Sequence, residues 1–156
     1  GVSNSYYRAR NYEVGRGGDR VLTDEPEGRI VRKALERIEA LMPPQARFIV
    51  LPEGIMLNYL SRRPSHIPCI NILPPELSMY GEENILDSMK RRPADYVVIV
   101  HREMGFYRTP YFGVDASYGK RIMDWVRQNY FRIELIGEEP LQKRRHFGIA
   151  ILKRRR

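Results

Sequence analysis

The run Arg47–Arg63, RFIVLPEGIMLNYLSRR, constrains the fold more than any other stretch of the chain. Phe48, Ile49, Val50 and Leu51 form an unbroken apolar segment. A Pro-Glu-Gly turn follows, and Ile55, Met56, Tyr59 and Leu60 then recur at helical spacing. A short apolar run entered from one helix and left into another predicts a central parallel strand buried on both faces. The turn after it falls at the strand's carboxyl end, where open α/β sheets place ligands. Glu53 is therefore the first residue with a functional expectation.

The rest of the chain extends this alternation. Ile30, Val31, Ala34, Leu35, Ile38, Leu41 and Met42 share one face of a helix expected over Pro26–Met42, with Asp24 as N-cap and Pro43-Pro44 as the stop. Ile67–Leu73 reads as a second, less regular strand, held to an edge or a late start by Pro68, and Pro74-Pro75-Glu76-Leu77 as a rigid connection. A helix over Glu82–Arg91 leads to a second strongly buried strand, Tyr96–Val100. The segment Met104–Ser117 is aromatic, glycine-bearing and long for a loop, which favours a functional role. A helix over Tyr118–Asn129 turns Ile122, Met123, Trp125 and Val126 inward. Phe131, Ile133 and Leu135 alternate with Arg132 and Glu134 as a strand with one wet face. Phe147–Leu152 is a last strand, antiparallel to its predecessor because the connection is too short for a crossover helix. The sum predicts an α/β fold: a three-layer αβα sandwich with a mostly parallel sheet and an antiparallel C-terminal strand. Residues 1–23 read as an extended segment packed on the domain, 24–152 as one α/β domain, and 153–156 as a basic tail. Val14-Gly15-Arg16-Gly17-Gly18-Asp19 lacks the buried strand before it and the helix after it that a dinucleotide loop needs. It reads as a turn joining two short extended segments.

A chain of 156 residues buries enough surface to fold without disulfides or metal. Cys69 is the only cysteine, which excludes an internal disulfide, and His66, His101 and His146 lack metal-ligand spacing. No metal and no cofactor are expected. The net charge of +8 is concentrated partly in Lys143-Arg144-Arg145 and Lys153-Arg154-Arg155-Arg156. Such runs are ordinarily solvated. The functional alternative is an anionic membrane surface touched by Lys153, Arg154, Arg155 and Arg156. Nucleic acid is not expected, since no aromatic residues interleave the terminal run for base stacking. No apolar stretch approaches the ~20 residues of a membrane-spanning helix. The start at Gly1 reads as an excised piece of a longer protein.

The words Leu51-Pro52-Glu53-Gly54, Asn58-Tyr59-Leu60, Pro75-Glu76, Ala94-Asp95-Tyr96-Val97-Val98, Tyr111-Phe112-Gly113-x-Asp115, and Trp125 with Asn129-Tyr130 resemble a known family. It is the soluble C-terminal region of bacterial polytopic membrane proteins related to dolichyl-phosphate-mannose protein mannosyltransferases, glycosyltransferases of the GT-C type. The resemblance spans roughly residues 6–154. It implies a periplasmic domain after the last membrane helix, partnered by the membrane portion of its own parent chain and near a glycan or lipid-linked sugar. The family's metal-assisting acidic residues lie in loops of the membrane portion, so the resemblance carries no catalytic residue onto this chain. Met104-Gly105-Phe106-Tyr107 departs from the family pattern, which has an acidic residue before Tyr-Gly.

The candidate ligand-binding residues are Glu53, Asn58, Arg62, Glu76, His101, Tyr107 and Asp115. Glu53, His101 and Asp115 could meet at the sheet's carboxyl edge as a carboxylate and imidazole set. Each also has a structural reading: a bond to the next helix start for Glu53, a satisfied strand-end group for His101. Asn58, Arg62 and Arg63 suit a phosphate or sugar, or simple exposure on a short helix. Tyr107, Tyr111 and Phe112 suit stacking on a sugar ring, or plugging of the sheet edge. The expected function is a non-catalytic, ligand- or acceptor-positioning domain of a membrane glycosyltransferase-like protein. The alternatives are a Rossmann-like nucleotide- or methyl-transfer enzyme and a basic nucleic-acid-binding domain.

Overall fold

The computed structural model describes residues 12–14, 21–23, 25–63 and 71–156. In chain order the elements are β1 (Tyr12–Val14), β2 (Val21–Thr23), α1 (Glu25–Leu41), β3 (Phe48–Leu51), α2 (Ile55–Leu60), α3 (Pro74–Tyr80), α4 (Glu82–Arg91), β4 (Tyr96–Val100), a 3-10 turn (Gly105–Tyr107), α5 (Lys120–Asn129), β5 (Tyr130–Gly137) and β6 (Gly148–Arg154). The fold is mixed α/β. β1 and β2 pair antiparallel, Tyr12 opposite Thr23, and lie alongside α1. The remaining strands form a four-stranded mixed sheet in the order β3-β4-β6-β5.

This order corrects two expectations. The sheet is not mostly parallel: β3 and β4 run parallel, while β4 with β6 and β6 with β5 are antiparallel. The cause is local. After β5 the chain returns in a hairpin and inserts β6 between β4 and β5, which a ten-residue connection allows only in the antiparallel sense. β3, expected at the centre, lies at an edge of this sheet. Its four residues are nonetheless all buried, because alternate side chains enter two different cores. Phe48 and Val50 join Val31, Ala34 and Ile38 of α1 with Ile149 and Ile151 of β6. Ile49 and Leu51 join Ile85 and Met89 of α4 with Ile122 and Val126 of α5. A fully apolar strand therefore signals two covered faces, not a central place. The open side of β3 is met at its end by returning chain: Ile72 N donates to Pro52 O at 2.6 Å, and Glu53 bridges Asn71 antiparallel.

Helix α1 forms where the sevenfold apolar face was expected, with its stripe on the sheet and Arg37 reaching across to Glu134 of β5 at 3.1 Å. The Pro74-Pro75 segment, expected as a rigid connection, instead opens α3, since the missing N–H groups fall where a helix has none to satisfy. In β5 the expected alternation breaks. Arg132 opposes Leu152 and Glu134 opposes Ile151, so Ile133 is bulged out of register. The phase slips: Tyr130 and Ile136 are buried, while Phe131 and Leu135 are 40% and 41% exposed. Lys153 and Arg154, expected in a tail, are the last residues of β6, and Arg155 N still donates to Asn129 O at 2.7 Å. The glycine-bearing segment Gly15–Asp19, Asp24, His66, Cys69, most of the strand expected over Ile67–Leu73 and most of the N-terminal segment lie outside the described residues. Among the described residues no helix is long and apolar enough to cross a membrane.

Candidate functional site

The carboxyl ends of the parallel pair β3 and β4 carry the first constellation. Directly after β3 the chain turns through Pro52-Glu53-Gly54, with a cis Leu51–Pro52 peptide, into α2. The turn returns so closely over the strand that a Cβ on Gly54 would lie 1.9 Å from Val50 Cγ1, so only glycine fits there. Glu53 is thereby held at the rim. Its Oε2 lies 2.9 Å from Nε of Arg102, which leaves the end of β4. The pair is partly open, with side-chain exposures of 27% and 48%.

Beneath this pair, Tyr118 is buried and donates its hydroxyl to Ile72 O. Burial raises the Tyr118 pKa strongly. Tyr107, Glu53 and Glu76 push the same way, while Arg102 opposes them. Glu53, Glu76, Tyr107 and Arg102 thus all act electrostatically on one phenol. Glu76 Oε2 is buried with no hydrogen-bond partner among the described residues. Tyr107 packs on the core, and its neighbour Phe106 stands 91% exposed, the two rings edge to face at 5.3 Å. Among the described residues no three His, Cys, Asp or Glu side chains lie close enough to hold a metal ion.

His101 belongs to a different cluster. The alternation of β4 sends His101 inward and Arg102 outward. The His101 ring is buried between Tyr111 and Phe147. Nδ1 accepts the N–H of Leu141 at 3.0 Å, so the proton of the neutral ring sits on Nε2, 3.1 Å from Oε1 of Glu103. Glu103 also accepts the Tyr111 hydroxyl at 3.0 Å and the Arg145 N–H at 2.6 Å. Burial would raise the Glu103 pKa, but the Arg145 N–H, the His101 ring and the Tyr111 hydroxyl together hold it below the usual carboxylate range. With both ring nitrogens engaged, His101 has no face left for a substrate proton.

Of the sequence-derived candidates, Glu53, Glu76 and Tyr107 all act on the charge state of Tyr118, whereas Asn58, His101 and Asp115 make their own bonds elsewhere. Asn58 is buried, its Nδ2 3.5 Å from Phe48 O, and acts as a brace between α2 and β3. Arg62 adopts a left-handed φ of 57° just after α2. Asp115 caps its own turn by accepting the Ser117 N–H at 2.8 Å; its bonds to the Ser117 hydroxyl and N–H lower its pKa. Sequence reasoning missed Arg102, Tyr118 and Glu103. Strand parity after Val100 is the signal that separates Arg102 from His101.

No protein-family model matches the chain, and neither a curated protein nor a solved structure matches it.

Proposed function

We propose that the chain is a non-catalytic accessory domain of a membrane glycosyltransferase-like protein, acting on the extracytoplasmic face to position a glycan or acceptor. The observation that carries this reading is the Glu53–Arg102 pair at the carboxyl ends of β3 and β4, with the exposed Phe106 in the loop that follows β4. A carboxylate that accepts from neighbouring hydroxyls, a guanidinium that donates, and an aromatic face that stacks are the groups a sugar ring needs. The site also sits where ligands gather on sheets with parallel strands. The finer architecture belongs to the same proposal: the helices over the two faces of the sheet are the outer layers of a three-layer αβα sandwich.

The test is a glycan panel, including polyprenyl-phosphate sugars, probed with the wild-type chain and with Glu53→Gln, Arg102→Gln and Phe106→Ala. Binding that falls at least about fivefold in all three variants is expected, about 1 kcal/mol per contact. Silence across the panel, or binding indifferent to the three substitutions, rejects the reading.

A further inference from the structure

At the opposite end of the sheet, by the amino ends of β3 and β4, lies a cavity of about 590 Å³. Its walls are the loop 43–46 after α1, Asp95 and Tyr96 at the start of β4, and Lys153, Arg154, Arg155 and Arg156 at the end of β6. The volume falls in the range of small-molecule sites, roughly 300–1,000 Å³.

The charge of this cavity is one-sided. Its lining holds four basic residues and one acidic side chain, and that side chain has structural work: Asp95 Oδ2 accepts the Arg47 N–H at 2.9 Å. The Asp95 carbonyl also accepts the Arg154 N–H at 2.9 Å. Lys153, Arg154 and Arg155 are not a loose tail. Lys153 pairs with Tyr96 and Arg154 with Tyr130 in the sheet, and the Arg155 guanidinium stands 5.8 Å from the Phe131 ring centroid. The ion pairs among the described residues include none of Lys153, Arg154 and Arg156. The end of β6 thus brings basic residues to a concavity whose lining includes one acidic side chain, Asp95. A multiply charged phosphate, with several acceptor oxygens for guanidinium forks, is the complement.

We propose that this cavity binds a phosphate-bearing ligand, a chemistry that a lipid headgroup and a soluble phosphate compound share. The site is independent of the Glu53–Arg102 rim, so either can fail without the other.

The experiment titrates the whole chain with inorganic pyrophosphate by calorimetry, using wild type, Lys153→Gln/Arg156→Gln, and the charge-matched control Lys143→Gln/Arg144→Gln, each checked for an unchanged Tm. Wild-type binding weakened about tenfold or more by the first pair, and less than about twofold by the second, is expected. Phosphatidylcholine vesicles carrying phosphatidylglycerol distinguish the source. Vesicle binding that pyrophosphate displaces and Lys153→Gln/Arg156→Gln abolishes assigns a lipid headgroup; pyrophosphate binding without vesicle binding assigns a soluble compound. Equal losses in the two paired variants, no binding of either probe, or duplex DNA binding that pyrophosphate cannot displace would overturn the proposal.

Discussion

His101 and Leu141 are joined through the ring: the Leu141 N–H donates to Nδ1 at 3.0 Å while Nε2 faces Glu103 on the other side. The imidazole is a neutral cross-brace between the end of β4 and the β5–β6 hairpin. Removing it by His101→Ala orphans a buried N–H and takes packing from Tyr111 and Phe147. A loss of about 1–3 kcal/mol is expected from the orphaned donor alone, read as a lower urea midpoint at constant m-value. A loss under about 0.5 kcal/mol, the size of an ordinary surface change, would show that the brace carries no weight.

Acid should loosen the Glu103 cluster and the turn at Asp115. Glu103 and Asp115 both titrate lower in the folded protein than in the unfolded chain. Their contribution is complete above the unfolded carboxylate range, near pH 4, and is lost as pH falls through the lower folded values. Urea midpoints from pH 6 to pH 2.5 should fall less steeply in Glu103→Gln than in wild type. Parallel curves for the two proteins would contradict the assignment.

Most helices and strands of the domain were legible because their apolar periods are strong; α3, expected as a rigid connection, and the order of the strands were not. Phe48–Leu51 reads as central because all four residues are apolar, yet each face has its own helical cover and the strand needs only one regular neighbour. The better signal for a central strand lay in β6, where Ile149–Leu152 are buried in a row between β4 and β5. The bulge at Ile133 left no mark in composition, so the phase of β5 was misread there. At the site, Glu53 was found because it follows an apolar run. The basic cavity was not, because it joins segments about fifty residues apart whose meeting depends on that same strand order.

Two tyrosines should titrate late. Burial pushes the Tyr130 hydroxyl, which donates to Ala94 O at 2.7 Å, up to about 12, and raises Tyr118 as well. A raised folded pKa means these groups stabilise fully below the unfolded value near 10, and that contribution is lost as pH rises through the folded values. Absorbance at 295 nm should show a late fraction that ionises only with alkaline unfolding. That fraction should shrink in Tyr130→Phe and again in Tyr118→Phe/Tyr130→Phe. Complete ionisation of the folded protein in a single step near pH 10 would sink the prediction.

The start of β6 tolerates no side chain. Gly148 faces Glu138 where the β5–β6 hairpin leaves the sheet, and a Cβ there would stand 1.5 Å from the Glu138 carbonyl oxygen. That neighbour is backbone, so relief requires the hairpin to open, and with it the Gly137–Gly148 pairing and the brace from His101 to Leu141. Gly148→Ala should cost about 1–3 kcal/mol or more by overpacking. Gly105 makes the control: a Cβ there meets nothing within 4 Å, and Gly105→Ala should stay within about 0.5 kcal/mol of wild type. The two variants differ from wild type by the same methyl group, so their urea midpoints compare place alone. Equal midpoints would mean that the hairpin closes with more room than the approach of Glu138 to Gly148 allows.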